Sequence, residues 1–274
     1  IRAAGTSALR EASDSRSFIK RAAKLGIPLE VLSEQEEARL ISLGIMSGLR
    51  FHLPLGLFVD IGGGSVELAV ANPTNTFCLF SLPLGAVRLT EQYIAHDPPH
   101  RKEVKELREF VRAQLRPVMR RVQREKFTMA FGSAGTITAL AETDSRITGN
   151  ADRTGSLTVL RRQRLKALLE ILMNEPAAER AAMISGDPKR ADIIVAGGFV
   201  LHEIMSEFGL DYLFVSRRGL RDGLMVDLLP RQHADAGPWH PDADRAESLD
   251  QVSQKYLYDA RHAHQVSQVA LNLF

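Results

Sequence analysis

The chain has 274 residues, of which 45% are hydrophobic and 25% charged, and its formal net charge is +2 at pH 7. A chain of this length can bury a sizeable core, and the length favours two domains. So small a net charge gives no support for a nucleic-acid partner. Cys78 is the only cysteine, so no internal disulfide can form, and no apolar stretch is long enough to span a membrane. We therefore expect a globular cytoplasmic protein.

The N-terminal part of the sequence predicts two helices separated by a short strand. It has neither an initiator methionine nor the apolar region of a signal peptide, so we expect the chain to begin inside a longer protein. The segment "SDSRSFIKRAAKLG" has helical periodicity and ends in glycine, and "IPLEVLS" follows as a strand. In "SEQEEARLISLGIM", Ser33 is the predicted N-cap. The acidic residues that follow it suit the first turn of a helix, where the helix dipole stabilises negative charge.

Three apolar runs follow, and they predict two successive β-hairpins. The runs are "LGLFVDIG", "VELAVAN" and "TFCLFSLPLG", and the turn signals "GGGS" and "NPTN" separate them.

The second half of the sequence alternates predicted helices and strands. The predicted helices cover residues 101–125, "TITALAE", residues 158–173, residues 190–208 and "LRDGLMVDLL", and the predicted strands are "FTMAFGS" and "DYLFVS". Three antiparallel strands followed by such alternation predict an α/β fold of the ribonuclease-H-like type, a mixed sheet with helices on both faces.

The predicted helix 101–125 is strongly basic. From Arg101 to Lys126 there are ten Lys or Arg against four Glu, and Arg108, Arg112, Arg116 and Arg120 lie at helical spacing. The simpler interpretation is a solvated face opposite the apolar positions of the helix. A track for a polyanion is the alternative.

The stretch "FVDIGGGSVELAV" carries the first candidate site. Gly62, Gly63 and Gly64 permit positive φ and close approach of an anion to backbone N–H groups. Asp60 and Glu67 flank the turn, where two carboxylates suit a hard divalent cation that bridges to phosphate oxygens. The pattern is neither a Walker motif nor a dinucleotide fingerprint. A purely structural turn is the alternative.

Three further glycine clusters, "FGSAGT", "VAGGF" and "SRRGLRDG", support a ligand site. The first lies between a strand and a helix, an arrangement that directs helix N–H groups at an anion. Each glycine inside a helix lowers helix stability by about 1 kcal/mol relative to alanine. The two glycines of "VAGGF" therefore suggest close approach of a ligand or another backbone. In "FGSAGT" the predicted phosphate-binding residues are Gly132, Ser133, Gly135 and Thr136.

The motifs "GTSALREA", "SEQEEARLI", "VDIGGGSVEL", "FGSAGT", "RADIIVAGG" and "SRRGLRDGL" resemble, in order and spacing, the exopolyphosphatase and guanosine pentaphosphate phosphatase family. The resemblance extends to about residue 230. It implies membership of the actin, sugar-kinase and heat-shock-chaperone ATPase superfamily, with two ribonuclease-H-like domains around a cleft. By this resemblance, residues 1–54 end the first domain, 55–230 form the second, 231–247 are a linker, and 248–274 begin a helical HD-like domain.

The resemblance also implies roles for individual residues. Glu37 matches the general base that acts on water. The alternative is that Glu37 only interacts favourably with the helix dipole. Asp60 and Glu67 match the metal ligands, which implies Mg²⁺ or another divalent cation. Arg10 lies in the "TSALR" motif, where a guanidinium can hold phosphate oxygens. The remaining matches, all to phosphate-binding positions, are Thr6, Ser7, Gly62, Gly63, Gly64 and Ser65.

Two departures from the family pattern are visible in the sequence. The family's N-terminal phosphate hairpin has no counterpart, so the activity of this chain alone stays open. His262 matches the first histidine of the HD-like domain, but the His-Asp pair that should follow is missing, so we expect no metal there. A side-chain role for Ser133 also stays open.

Release of terminal phosphate from inorganic polyphosphate is the function that the resemblance favours. Hydrolysis of guanosine pentaphosphate (pppGpp) would use the same residues, and the sequence does not separate the two substrates. A kinase or actin-like ATPase would share the glycine turns, and a non-catalytic polyphosphate or alarmone-binding module is also compatible with them. A homodimer is compatible with the sequence but not predicted by it.

Overall fold

The computed structural model describes residues 2–49, 51, 53–154, 157–184 and 188–232. The chain divides into two units at Asp227, and only residues 228–232 of the second unit are described. Nearly all of the predicted linker and the whole predicted helix 248–274, including His262, lie outside the described residues. The predicted domain boundary at residue 54 stays a prediction.

Two sheets are present among the described residues. The smaller pairs β1 (Ala3–Gly5) with β2 (Leu29–Val31) in parallel. The larger has seven strands in the order β5-β4-β3-β6-β9-β8-β7. Its strands are β3 (Gly56–Ile61), β4 (Val66–Ala71), β5 (Thr76–Leu82), β6 (Met129–Ser133), β7 (Arg153–Thr154), β8 (Leu157–Arg161) and β9 (Tyr212–Val215). The pairs β3–β4 and β4–β5 are antiparallel, so both predicted hairpins are confirmed. Strands β6 and β9 join in parallel, which makes the sheet mixed.

Ten α-helices and one short 3₁₀ helix, Pro188–Asp192, are found in the part of the chain that is described. The α-helices are α1 (Ser7–Glu11), α2 (Ser15–Lys24), α3 (Glu34–Met46), α4 (Ala86–Tyr93), α5 (Arg101–Arg124), α6 (Ala134–Thr148), α7 (Arg162–Leu172), α8 (Ala177–Met183), α9 (Ile194–Glu207) and α10 (Leu220–Gln232). None of these helices is long and apolar enough to cross a membrane.

Side chains of β3 alternate between two cores, one on each face of the large sheet. Leu57 and Val59 belong to the larger core, which contains the apolar sides of α5, α6, α7 and α9. Phe58 belongs to the smaller core, together with Ile41 and Ile45 of α3. Because successive side chains of a strand point to opposite faces, helices cover both faces of the sheet. The predicted α/β fold class is therefore confirmed.

Local predictions are mostly confirmed. Ser33 caps α3, with its hydroxyl accepting the N–H of Glu36 at 3.2 Å. The apolar face of α5 is buried, and Pro117 lies inside this helix. The predicted helix 158–173 is wrong in its first turn, because residues 157–161 form β8 and pair antiparallel with β9. Pairing with a neighbouring strand outweighs local helical periodicity there. The predicted helix 190–208 begins later, at Ile194.

Candidate active site

Four polar side chains form a continuous row across neighbouring strands of the large sheet. Asp60 on β3 lies directly opposite Glu67 on β4, and the row continues to Ser133 on β6 and Ser81 on β5. The Ser81 hydroxyl donates to Glu67 Oε1 at 2.9 Å, and the Ser133 hydroxyl donates to Asp60 Oδ1. Directly opposed residues have Cβ atoms about 5 Å apart. The register therefore brings two carboxylates side by side, with a hydroxyl at each end.

Both carboxylates of this row are difficult to ionise. Burial, and to a lesser extent the nearby Glu37 carboxylate, raise the pKa of Asp60 to about 6 despite the hydrogen bond from Ser133. Burial, then repulsion by Glu37 and Asp60, raise the pKa of Glu67 to about 8. Among the described residues, no lysine or arginine bonds to Asp60 or Glu67. Asp60 and Glu67 thus lack a positively charged partner in the described part of the chain.

Glu37 completes this group from α3. Its carboxylate is buried and accepts a hydrogen bond from Arg10 Nη1 at 2.7 Å, and Arg10 also donates to the carbonyl of Leu32 at 2.9 Å. Burial raises the pKa of Glu37, whereas Arg10 and a hydrogen bond with Thr6 oppose that rise. Unlike Asp60 and Glu67, Glu37 therefore has a cationic partner that favours its ionised form.

The carbonyl groups of the glycine turn point toward the start of α4. The carbonyl of Gly62 accepts the N–H of Ala86 at 2.9 Å, and that of Gly63 accepts the N–H groups of Val87 and Arg88 at 3.0 and 3.1 Å. No group in the described part of the chain accepts a hydrogen bond from the N–H of Gly63 or Gly64. Because these two N–H groups have no acceptor there, they are available for an anion, and the bonded carbonyls hold the turn in place.

Close contacts explain the glycines of this turn better than backbone conformation does. Positive φ among the described glycines occurs at Gly26, Gly149 and Gly209, so the turn does not use the positive φ that its glycines permit. A Cβ atom at Gly64 would lie 2.4 Å from Ser7 Oγ. Gly85, just before α4, has no room either, since its Cβ would lie 2.2 Å from the carbonyl oxygen of Gly63. Glycine is needed at positions 64 and 85 because three segments converge there, whereas a Cβ at Gly62 or Gly63 would come no closer than 3.3 Å to a neighbouring atom.

Side-chain contacts join α1 and α4 to the same turn. Ser7 donates to Glu11 at 2.8 Å, and Arg88 Nε donates to the carbonyl of Gly64 at 2.7 Å. Arg88 Nη2 also pairs with Glu11 at 2.5 Å. Thr6 belongs to the same neighbourhood through its hydrogen bond with Glu37. The structure therefore brings the "TSALR" residues, the glycine turn and Glu37 together.

The "FGSAGT" turn meets this group through Ser133, which is fully buried against Asp60. The next residue, Ala134, has a φ of 70°, which is strained for any residue with a Cβ. The guanidinium of Arg190 lies over Gly135, at 2.2 Å from the place a Cβ would take. The other two residues of this turn make packing contacts instead. Gly132 packs against Leu213 and Ile137, and Thr136 packs against Gly197.

The other glycine clusters serve helix packing. A Cβ at Gly197 would meet Thr136 at 2.6 Å, and one at Gly198 would meet Leu169 at 2.4 Å. The glycines of "VAGGF" are therefore explained by close packing within the protein rather than by the approach of a ligand. A Cβ at Gly223 would lie 1.8 Å from the carbonyl oxygen of Leu40, so α10 lies directly against α3.

The basic helix α5 has two kinds of arginine. Arg108 and Arg112 pair through their Nε atoms with the two oxygens of Glu203 on α9, at 2.7 and 2.5 Å. Arg116 and Arg120 are exposed. The interpretation as a solvated face therefore holds only for the second pair.

Residues 1–232 match the Ppx/GppA phosphatase family. The chain belongs to this family. It is 31% identical over 238 residues to "Exopolyphosphatase 2" of Mycobacterium tuberculosis, a match that covers 83% of this chain and 74% of that protein. It is 30% identical to "Exopolyphosphatase 1" of Mycobacterium bovis, over 82% of this chain and 66% of that protein.

Solved structures of Ppx/GppA family members have the same fold. An exopolyphosphatase from Cytophaga hutchinsonii superposes with a TM-score of 0.75 at 25% identity, over 83% of this chain and 74% of that one. The Aquifex aeolicus family member superposes with a TM-score of 0.70 at 28% identity, over 84% of this chain and 74% of that one.

Sequence reasoning missed three residues of this Ppx/GppA site. Ser81 lies beside Glu67 only because of the β4–β5 register, which includes a shift at Val70/Ala71. Arg88 reaches the glycine turn from α4, and Arg190 reaches Gly135 from the 3₁₀ helix. Arg190 belongs to the "RADIIVAGG" motif, which was the available signal for it.

Proposed function

We propose that this protein releases terminal orthophosphate from inorganic polyphosphate. The observation that carries the proposal is the pairing of Asp60 with Glu67 on adjacent strands, beside a glycine turn whose N–H groups are available. Acids without positive partners, next to N–H donors, suit a ligand that brings both a cation and phosphate oxygens. The two mycobacterial relatives named exopolyphosphatases support the same substrate.

The donor set fits a divalent cation such as Mg²⁺. Asp60 and Glu67 offer hard carboxylate oxygens, and their raised pKa values express a deficit of positive charge that a cation would remove. We assign these two residues as the ligands. When bound, the cation would neutralise charge that develops on the transferred phosphoryl group.

Backbone and arginine donors would hold the terminal phosphate. The N–H groups of Gly63 and Gly64 bind its oxygens without any reorganisation of the turn, because the carbonyls of the turn are already fixed by α4. Arg10 has one nitrogen on Glu37 and carries further N–H groups for a phosphate oxygen.

Glu37 acts as the general base in this proposal. Its burial excludes bulk water and raises its affinity for a proton, while Arg10 keeps it ionised before the reaction. A water molecule beside Glu37 Oε1 or Oε2 would transfer a proton to the carboxylate as its oxygen bonds to the terminal phosphorus atom. The bridging P–O bond breaks in the same step, and the shortened polyphosphate leaves with that electron pair. Arg10 stays in place and stabilises the position of the carboxylate throughout.

The test compares Glu37→Gln with Glu34→Gln, since both residues lie in the first turn of α3 but Glu34 is exposed. Phosphate release is measured with Mg²⁺ on long-chain polyphosphate and on pppGpp, side by side. We expect Glu37→Gln to lower kcat by about 10²- to 10⁴-fold and Glu34→Gln to leave it unchanged. Equal rates for wild type and Glu37→Gln would remove Glu37 from the mechanism. Faster phosphate release from pppGpp than from polyphosphate would contradict the proposal that polyphosphate is the substrate.

A further inference from the structure

Two histidines and a glutamate meet at the start of α5, away from the residues assigned to the reaction. His96 and His100 are exposed, and their rings stack with centroids 3.8 Å apart. His96 Nδ1 lies 2.8 Å from Glu103 Oε1. One ligand atom from each of the three residues lies within 4.8 Å of the other two. This is the spacing from which small side-chain rotations bring three donors onto one ion.

The backbone that carries these side chains is held in place. Glu103 accepts the N–H of Ala95 at 2.9 Å and that of His100 at 2.7 Å, so the carboxylate fixes the loop on both sides. Asp97, next to His96, pairs with Arg180 at 2.8 Å and accepts the N–H of Ala177 at 2.8 Å. A loop anchored in this way loses little conformational entropy when its side chains bind an ion.

We propose that His96, His100 and Glu103 form a binding site for Zn²⁺. Two imidazole nitrogens and one carboxylate oxygen are a ligand set that zinc uses, and three protein ligands leave a fourth position for water. The hydrogen bonds that Glu103 accepts from the backbone leave lone pairs on both oxygens and hold the carboxylate beside the His96 ring. Imidazole ligands distinguish this site from the all-oxygen pair of Asp60 and Glu67.

The geometry of the cluster also suits a single cation, since one bound ion could contact both stacked rings and the carboxylate. Binding would join the loop after α4 to the first turn of α5. None of the three residues touches the glycine turn or Glu37 in the hydrogen bonds and ion pairs found among the described residues.

Isothermal titration of the full-length protein with ZnCl₂, in saturating Mg²⁺, tests the proposal. We expect Glu103→Gln and His96→Gln each to raise the Kd of one equivalent of bound zinc at least about tenfold. Glu106→Gln is the matched control, because Glu106 lies one turn further along α5 and pairs with Lys102 instead. It should bind zinc as wild type does.

His96→Gln keeps the test decisive, since His96 makes no helix-capping contact and its loss should leave the fold intact. Phosphate release by this variant should equal that of wild type. Unchanged stoichiometry and affinity for zinc in His96→Gln and Glu103→Gln would overturn the proposal.

Discussion

Among the described residues, Glu203 and the Asp60–Glu67 pair are acidic sites built in opposite ways. Glu203 on α9 is fully buried, and burial opposes its ionisation, but hydrogen bonds with His202, Arg112 and Arg108 outweigh burial and lower its pKa to about 2. Glu67 is buried and Asp60 is half-buried beside it, and desolvation raises the pKa of Asp60 to about 6 and that of Glu67 to about 8. The cations that compensate Glu203 come from the protein itself.

This difference distinguishes charged side chains that stabilise the fold from charged side chains that are suited to binding a ligand. The charge of a buried carboxylate that is bonded to arginines is already compensated. The Glu203 carboxylate therefore joins α5 to α9. Two adjacent carboxylates without such partners are a cost to the folded chain that a bound cation would remove. Substitutions, pH and Mg²⁺ should therefore affect the two groups differently.

The largest effect should follow from Glu67→Gln. Loss of a metal ligand removes several kcal/mol of transition-state stabilisation, so kcat/KM for phosphate release should fall about 10³-fold. The unfolding free energy in the absence of Mg²⁺ should stay equal or rise, because an uncompensated buried acid has been removed. Phosphate-release kinetics and urea denaturation measure the two quantities. Activity within tenfold of wild type would contradict the assignment of Glu67.

Glu203→Gln should show the reverse pattern. Removing this carboxylate leaves Arg108 and Arg112 without their partner, and the unfolding free energy should fall by about 2–4 kcal/mol, less than for a fully buried pair because both guanidiniums reach solvent. Urea denaturation measures the loss, and activity per folded molecule should not change. A stable but inactive Glu203→Gln variant would place this cluster in the reaction instead.

The two groups should also give opposite responses to pH. Without Mg²⁺, the folded protein binds protons at Asp60 and Glu67 more tightly than the unfolded chain does, so their contribution to stability is complete below about pH 4 and is lost as pH rises through about 6 and about 8. The slope is at most about 1.4 kcal/mol per pH unit for each group. Glu203 instead contributes above about pH 4.5 and loses that contribution as pH falls toward 2.

Thermal unfolding between pH 5 and 9, with EDTA or with Mg²⁺, measures the response of Asp60 and Glu67. Mg²⁺ should restore stability at high pH, since it binds the ionised pair in the folded state only. A pH profile that Mg²⁺ does not change, or that Asp60→Asn and Glu67→Gln leave intact, would show that other groups cause it.

The smallest effect concerns Ala134, which links Ser133 to α6 at a φ of 70°. Ala134→Gly should raise the unfolding free energy by about 0.5–1 kcal/mol, because glycine adopts this conformation without strain. Ala139→Gly, in the interior of the same helix, should lower it by about 1 kcal/mol. Destabilisation by both substitutions, measured in urea, would mean that position 134 is not strained.

The sequence predicted the fold class and both hairpins because the apolar runs and turn signals of β3, β4 and β5 are local. It failed at residues 157–161, where pairing with β9 decides the structure. The partners of Arg108 and Arg112 could not be predicted either, because Glu203 lies more than ninety residues away in sequence.

The candidate site was predictable in part for the same reason. Motif resemblance indicated Glu37, Asp60 and Glu67, and the structure places all three close enough for Glu37 to raise the pKa values of the other two. Ser81 depends on a strand register that no sequence pattern showed. The sequence predicted close approach of an anion at the glycine turn, and the structure shows close approach of Ser7 to Gly64 there, without positive φ at the three glycines.

A titration with Mn²⁺, followed by electron paramagnetic resonance, tests the pairing of Asp60 with Glu67 most directly. If these acids hold a divalent cation, Glu67→Gln will lose one equivalent of bound Mn²⁺ relative to wild type, while Glu203→Gln will keep it. Identical Mn²⁺ binding by wild type and Glu67→Gln would show that the two acids do not form a cation site.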